Sequence, residues 1–117
     1  MDFTVEERDG VAIVRIPDDI TTENVGELKG FFQDTVNPTY ARIILDMEDV
    51  DYFCSSAYGV MLRCLETTRG KGGDMVLARA SESVKRLFEV TRLTTVVRLE
   101  ETIESALRWF QRSSPGV

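Results

Sequence analysis

The pattern of apolar and polar positions first predicts a hairpin near the N-terminus of this chain. Residues 3–5 and 11–16 are two short runs rich in large apolar side chains, as expected for strands. The Asp9-Gly10 pair between them is typical of a tight turn, and Pro17 ends the second run. This stretch therefore predicts two antiparallel strands joined by a short turn.

Three later apolar runs predict the rest of a sheet. Residues 41–47 and 75–78 are almost continuously apolar, which is typical of strands that are covered on both faces. The Gly72-Gly73 pair favours a turn into the second of these runs. A shorter apolar run at residues 93–99 is expected to be the last strand.

Amphipathic segments lie between these strands, and each begins with a residue that can cap a helix. The expected caps, in chain order, are Thr21 or Thr22, Ser55 or Ser56, Ser81, and Thr102. The apolar positions expected to face a core are Val25, Leu28, Phe31 and Phe32; Val60, Met61, Leu62, Cys64 and Leu65; Val84, Leu87 and Phe88; and Ile103, Ala106, Leu107 and Phe110. The pattern therefore predicts four helices.

Strands and helices alternate after the first hairpin, and this order defines the fold class. Such alternation predicts an α/β fold with right-handed crossovers between parallel strands. The expected architecture is a mixed, mostly parallel β-sheet with an N-terminal antiparallel hairpin and four α-helices. We expect one domain over residues 1–112 and a flexible C-terminal tail over residues 113–117.

Composition narrows the range of partners. The chain has 117 residues, a formal net charge of −6 and no basic run, which argues against nucleic acid or an anionic membrane as a partner. No apolar run approaches the roughly 18 residues that would predict membrane insertion. The polar, acidic N-terminus does not resemble a signal peptide, and two cysteines make no disulfide framework. We therefore expect a cytoplasmic protein.

Candidate catalytic chemistry is sparse in this sequence. The chain contains no histidine, which removes the commonest general base and the commonest zinc ligand. Lys29, Lys71 and Lys85 stand on polar faces or in a turn, and no phosphate-binding loop or dinucleotide motif occurs. The sequence therefore predicts neither an enzyme nor a bound cofactor.

Two other features of the sequence are candidate sites. Four carboxylates, Asp46, Glu48, Asp49 and Asp51, could attract a hard cation, but their spacing is not that of a calcium loop, and a solvated acidic loop with no metal is expected. Cys54 precedes a predicted helix, where a thiol can be reactive. Because no resolving thiol stands nearby in the sequence, a structural cysteine is the expected role.

Ser55 and Ser56 are the most informative polar residues. At the start of a helix, a serine hydroxyl can cap free backbone N–H groups. The same N–H groups and the helix dipole also favour an anion such as a phosphate. The residue types alone leave these two interpretations open.

The stretch around the serine pair resembles a motif of STAS domains. Cys54-Ser55-Ser56-Ala57-Tyr58-Gly59 is similar to the Ser-Ser-Gly-Leu-Gly motif, preceded by Asp, of the bacterial anti-sigma factor antagonists. Residues 45–50, 72–76 and 84–88 extend the resemblance over most of the domain. The resemblance implies a STAS-like fold and a regulatory binding module.

The family resemblance also implies a switch and a partner. Ser55 would be phosphorylated by an anti-sigma factor with serine kinase activity, and the unphosphorylated form would bind that anti-sigma factor. The docking surface implied for this chain consists of Thr21, Thr22, Ser55, Ser56, Gly59 and Arg63.

The sequence departs from the family motif at three positions. Cys54 replaces the family's Asp, Ala57-Tyr58 replaces Gly-Leu, and Thr21 replaces an Asp often found after the second strand. These departures leave a second hypothesis open. The chain could instead be a non-phosphorylated STAS subunit that scaffolds a larger signalling or transporter assembly.

Overall fold

A five-stranded sheet forms the centre of the computed structural model, which describes residues 1–112. The strands lie side by side in chain order; β1 and β2 are antiparallel, and every other neighbouring pair is parallel. Their bounds are β1 Thr4–Arg8, β2 Val11–Arg15, β3 Arg42–Asp46, β4 Asp74–Ala78 and β5 Arg98–Glu100. The predicted fold class is therefore confirmed. The tail predicted at residues 113–117 lies outside the described residues.

Four helical segments connect or follow the parallel strands. The first begins as α1, Val25–Phe31, and continues through a π-helical turn, Phe32–Val36, to a last turn at Asn37–Thr39. The others are α2 Ser55–Gly70, α3 Glu82–Val90 and α4 Ile103–Arg112. Side-chain caps form as predicted at two of them, because Ser81 accepts a hydrogen bond from the Val84 N–H and Thr102 from the Ser105 N–H.

The sheet separates two hydrophobic clusters, because alternate residues of a strand point to opposite faces. Leu45 and Leu77 belong to the larger cluster, which also contains apolar residues of α1, α2 and α3. Ile44 and Val76 belong to the smaller cluster, which α4 closes. Since the central strands β3 and β4 are buried on both faces, the almost unbroken apolar runs in the sequence have a direct structural cause.

Two turns depend on glycine. Asp9 and Gly10 both have positive φ angles, 54° and 77°, which is the backbone geometry of a two-residue hairpin turn. Gly72 also has a positive φ angle, of 84°, and ends the turn after α2. At the next residue, Gly73, a Cβ atom would overlap the Ala41 carbonyl oxygen, so the start of β4 can approach β3 only without a side chain.

Two predictions about the last third of the domain were wrong. The last strand spans Arg98–Glu100 rather than residues 93–99, because Leu93–Thr95 forms a 3₁₀ turn after the left-handed residue Arg92. Leu87 was expected to face the core but is 40% exposed. The row that packs is Val84 and Phe88, four residues apart, since only a narrow stripe of this short helix meets the larger cluster.

Candidate functional site

The N-terminus of α2 presents the serine pair to solvent. Cys54 is the residue before the helix, with extended backbone geometry, and Ser55 is the first helical residue. Neither serine caps the helix through its side chain, so of the two interpretations left open by the sequence the helix cap is not observed. The Ser56 hydroxyl lies 3.3 Å from the Cys54 thiol, whereas no group within residues 1–112 hydrogen-bonds the exposed Ser55 hydroxyl. Ser55 is therefore free to react or to be contacted.

The loop after β2 is held against the segment that leads into α2. Ile20 and Phe53 form a parallel bridge, with hydrogen bonds from the Ile20 N–H to the Tyr52 carbonyl (3.0 Å) and from the Cys54 N–H to the Ile20 carbonyl (2.9 Å). The Asp19 carboxylate accepts a hydrogen bond from the backbone N–H of Asp51 (2.7 Å) and from that of Tyr52 (3.1 Å). These bonds bring together two segments that are more than thirty residues apart.

Thr21 and Thr22 directly follow Ile20, whose bridge partner Phe53 stands two residues before α2. The expectation that one of them caps α1 was wrong, because α1 begins after Asn24 and has no side-chain cap. The Thr21 hydroxyl instead accepts a hydrogen bond from the Glu23 N–H, while Asn24 Oδ1 accepts one from the Thr21 N–H. These bonds shape the loop and leave Thr22 exposed. Local turn bonds of this kind compete with a helix cap.

The other three predicted contact residues line a groove between α1 and α2. Ser56, Gly59 and Arg63 lie on the exposed side of α2, in agreement with their helical spacing. The groove has a volume of about 700 Å³, and residues of α1 form its opposite wall. The predicted site thus has two adjoining parts: the lip, which consists of Thr21, Thr22 and Ser55, and the α1–α2 groove.

The acidic segment after β3 is more ordered than the sequence suggested. Arg79 donates hydrogen bonds to both carboxylate oxygens of Asp46, which is only 4% exposed, and it also pairs with Glu48. Arg15 pairs with Asp49 in the same region. The expectation of a solvated loop is therefore wrong for Asp46, whose charge is balanced by a cation. Within residues 1–112, no group of three or more His, Cys, Asp or Glu side chains is arranged to hold a metal ion.

Hydrogen bonds to these carboxylates also affect the two arginines. The hydrogen bond with Asp46 raises the pKa of the Arg79 guanidinium above its usual value. The hydrogen bond with Asp49 does the same for the pKa of Arg15. Both guanidinium groups thus pair with carboxylates of the segment that runs from β3 towards Ser55.

Aromatic packing anchors the first turn of α2. The Tyr58 ring contacts Phe53 edge-on, with ring centres 5.2 Å apart, and lies 5.4 Å from Phe88 of α3. Burial raises the pKa of the Tyr58 hydroxyl to about 12. That hydroxyl oxygen has no hydrogen-bond partner in the described part of the chain. Tyr58, which stands where the family motif has leucine, therefore packs against the larger cluster and leaves its hydroxyl oxygen unsatisfied.

Both cysteines are buried in the larger cluster. Cys54 is 4% exposed, so the expected burial of its thiol is confirmed, and its structural role stays a prediction. Burial raises the pKa of the Cys64 thiol to about 11, and the Asn37 side chain lies 3.5 Å from its sulfur. The structure describes both cysteines as free thiols.

Sequence reasoning missed two residues that organise the lip. Asp19 and Arg79 make these bonds with residues 31 to 33 positions away, and neither forms part of a recognisable local pattern. The only sequence signal at Asp19 is its place after Pro17, where a turn is common. Arg79 carries no such signal, although its φ angle of 59° makes it unusual in the structure.

Comparison with known proteins identifies the family and the fold. The STAS domain model matches residues 2–106 of the chain. A relative from Thermotoga neapolitana, named as an anti-sigma factor antagonist homolog, is 31% identical over 83 residues, which cover 71% of this chain and 74% of the relative. A crystal structure of an anti-sigma factor antagonist from Thermotoga maritima has a TM-score of 0.87 at 28% identity, covering 94% of this chain and 95% of that protein.

A more distant structure supports the same fold. The anti-sigma factor antagonist SpoIIAA in its unphosphorylated form has a TM-score of 0.77 at 18% identity, covering 95% of this chain and 97% of that one.

None of the helices within residues 1–112 is both long enough and apolar enough to span a bilayer.

Proposed function

This chain belongs to the STAS domain family, and we propose that it is a bacterial, cytoplasmic anti-sigma factor antagonist switched by phosphorylation at Ser55. Its partner would be an anti-sigma factor with serine kinase activity, and its role would be regulatory rather than enzymatic. The similarity to proteins named as anti-sigma factor antagonists supports this role.

The exposed Ser55 hydroxyl at the start of α2 carries the proposal. A kinase must reach the acceptor oxygen, and Ser55 is exposed with a hydroxyl that makes no hydrogen bond within residues 1–112. A phosphate there would lie near the N–H groups of Ser55 and Ser56, which precede the first backbone hydrogen bond of α2, from the Ala57 N–H to the Cys54 carbonyl (3.0 Å). The positive end of the helix dipole would also favour its charge. The domain should therefore remain folded after phosphorylation.

A phosphate at Ser55 should nevertheless weaken partner binding. It would add about −1.5 to −2 charges to a chain that already carries −6. The lip lies next to the segment that contains Glu48, Asp49 and Asp51, so the added charge would stand near three carboxylates, of which Arg79 and Arg15 pair with the first two. A docked partner would have to desolvate the phosphate or move away from it. Phosphorylation would thus act on binding rather than on folding.

A second candidate function follows from Cys54. The family motif has an aspartate before the acceptor serine, but Cys54 is buried and brings no charge to the surface beside Ser55. A kinase that depends on that charge would not recognise this chain. The chain would then be a non-phosphorylated STAS subunit that holds together a larger signalling or transporter assembly.

The two functions are distinguished by phosphorylating the protein with the anti-sigma factor kinase encoded in the same genome. The phosphate is mapped by mass spectrometry, and the affinities of phosphorylated and unmodified protein for that kinase are measured by calorimetry. We expect phosphate at Ser55 and binding at least tenfold weaker, a difference of about 1.4 kcal/mol. Tight binding without phosphate transfer would favour the scaffolding function, and phosphate at Ser56 would contradict the assignment of Ser55.

A further inference from the structure

The α1–α2 groove is an open channel along the exposed side of α2. Its lining on α2 runs from Ser56 to Thr67, which corresponds to about 16 Å of helix. The half-buried side chains of Val25 and Val60 form part of its lining, and Phe32 lies buried among the lining residues. The groove therefore combines the length of about three helical turns with partly exposed apolar surface.

Glycines keep the walls of this groove low. Gly26 of α1 and Gly59 of α2 both line it, and a Cβ atom at either position would contact nothing within 4 Å. Glycine inside a helix is less stable than alanine, so the fold gains nothing from Gly59. This contrasts with Gly73, where the backbone leaves no room for a side chain. The space at Gly26 and Gly59 is therefore available to a molecule outside the fold.

The charges along the groove are opposite in sign to those of the chain as a whole. Lys29 and Arg63 line opposite walls, and both are exposed. Neither forms an ion pair with any residue between positions 1 and 112, although the chain carries an excess of acidic residues. Glu66 is the acidic residue of the lining. Two unpaired cations beside apolar surface would complement an apolar row flanked by carboxylates.

We propose that the α1–α2 groove docks an acidic amphipathic helix of the anti-sigma factor. Apolar side chains of that helix would cover Val25 and Val60, and its carboxylates would pair with Lys29 and Arg63. Groove docking of an amphipathic helix is a common recognition mode between proteins, and the two glycines allow a close approach. This inference rests on the proposed function and extends it, because Ser56 joins the groove to the lip.

A pair of synthetic peptides tests the chemistry of the groove without the partner. The first is a helix of about 14 residues with leucines at positions i, i+3, i+4 and i+7 and glutamates beside them. The second has lysine in place of each glutamate. We expect the acidic peptide, at about 1 mM, to shift the backbone amide signals of Gly26, Lys29, Gly59 and Arg63 in ¹⁵N NMR spectra. Equal shifts with both peptides, or none at these residues, would overturn the proposal.

Substitutions then connect the groove to the anti-sigma factor. Lys29→Glu, Arg63→Glu and Gly59→Leu should each weaken binding to the anti-sigma factor at least tenfold, with no drop in the midpoint of thermal unfolding. Arg108→Glu, on α4 across the sheet, and Gly70→Leu, at the exposed end of α2, are the matched controls and should bind normally. If the groove variants bind as the controls do, the groove is not the docking site.

The same measurements separate this inference from the proposed function. Normal binding by the groove variants, together with weaker binding after phosphorylation at Ser55, would overturn the groove and leave the proposed function standing. If the anti-sigma factor fails to bind at all, the proposed function falls, and the groove's assignment to that partner falls with it. Gel filtration tests one more outcome. If the protein forms a dimer and Gly59→Leu dissociates it, the occupant of the groove is a second copy of the chain.

Discussion

Arg79 donates two hydrogen bonds to the buried carboxylate of Asp46, from Nε at 3.1 Å and from Nη2 at 2.6 Å. Asp46 is the last residue of β3, and Arg79 directly follows β4, so the pair joins the ends of two neighbouring parallel strands. The Glu48 N–H donates to the same carboxylate, at 3.2 Å. One buried charge thus fixes where the chain leaves the sheet on its way to Ser55.

Replacing Asp46 should destabilise the domain. Asp46→Ala removes two charge-assisted hydrogen bonds from Arg79 and one hydrogen bond from the Glu48 N–H. We expect a loss of about 1–3 kcal/mol in the free energy of unfolding. Urea denaturation measures this loss. The control is Arg15→Ala, which breaks an exposed pair and should have little effect, because exposed ion pairs are screened by solvent. Equal losses of unfolding free energy for the two substitutions would show that the buried Asp46–Arg79 pair stabilises the domain no more than the exposed pair does.

Removing the unsatisfied hydroxyl of Tyr58 should stabilise the protein. Tyr58→Phe keeps both ring contacts but removes a buried polar atom that has no partner within residues 1–112. We expect a gain of about 1 kcal/mol, since a buried unpaired polar group costs about that much or more. Thermal unfolding measures the gain, with Tyr52→Phe, at an exposed tyrosine, as the control. A loss of stability would mean that this hydroxyl makes a bond in solution.

Adding a methyl group at Gly73 should be costly. Gly73→Ala would force the new Cβ atom against the Ala41 carbonyl and disturb the junction of β3 and β4. We expect a destabilisation of about 1–3 kcal/mol, as is usual for overpacking. Gly70→Ala is the matched control, because a Cβ atom there contacts nothing within 4 Å. Similar midpoints in urea for the two variants would contradict this account of Gly73.

The two thiols should be inert in the folded protein. Both cysteines are buried, and the raised pKa of Cys64 keeps it in the unreactive thiol form at neutral pH. A thiol reagent should therefore label neither cysteine until denaturant is added. Cys54→Ala should leave partner binding nearly intact, since the Cys54 side chain is buried in the larger cluster. If mild oxidant abolished binding and Cys54→Ala prevented that loss, Cys54 would be a redox switch.

Substitutions at Ser55 should separate binding from modification. Ser55→Ala is expected to bind the anti-sigma factor without accepting phosphate. Ser55→Asp should bind at least tenfold more weakly, about 1.4 kcal/mol, with an almost unchanged midpoint of thermal unfolding, because the start of α2 accommodates negative charge.

Ser56→Ala is the internal control for this series, and it should still be phosphorylated. Calorimetry and mass spectrometry measure the two properties. Wild-type affinity of Ser55→Asp, together with equal affinities of the phosphorylated and unmodified proteins, would contradict a switch at this residue.

Most of the fold could be predicted from local patterns. The Asp9-Gly10 turn and the caps at Ser81 and Thr102 each depend on residues at most a few positions apart, and the structure confirms all three. The central strands were equally clear, because burial on both faces demands a run of apolar residues. The wrong predictions, at the start of α1 and at β5, fall where the local sequence pattern is weak or where two patterns compete. Asn24 rather than a threonine precedes α1, and β5 begins only where β4 offers a partner.

The sequence by itself determined the order of strands and helices, the family resemblance and the exposed row of Ser55, Ser56, Gly59 and Arg63 on one helix. Helical spacing is enough for that row, because neighbours on a helix face are three or four residues apart. Only the tertiary structure decided which distant segments meet. The bonds from Asp19 that place Thr21 beside α2, the Arg79–Asp46 pair and the α1–α2 groove all depend on how helices and strands pack. Such contacts join residues that no local pattern links, since packing of the whole chain sets their distances.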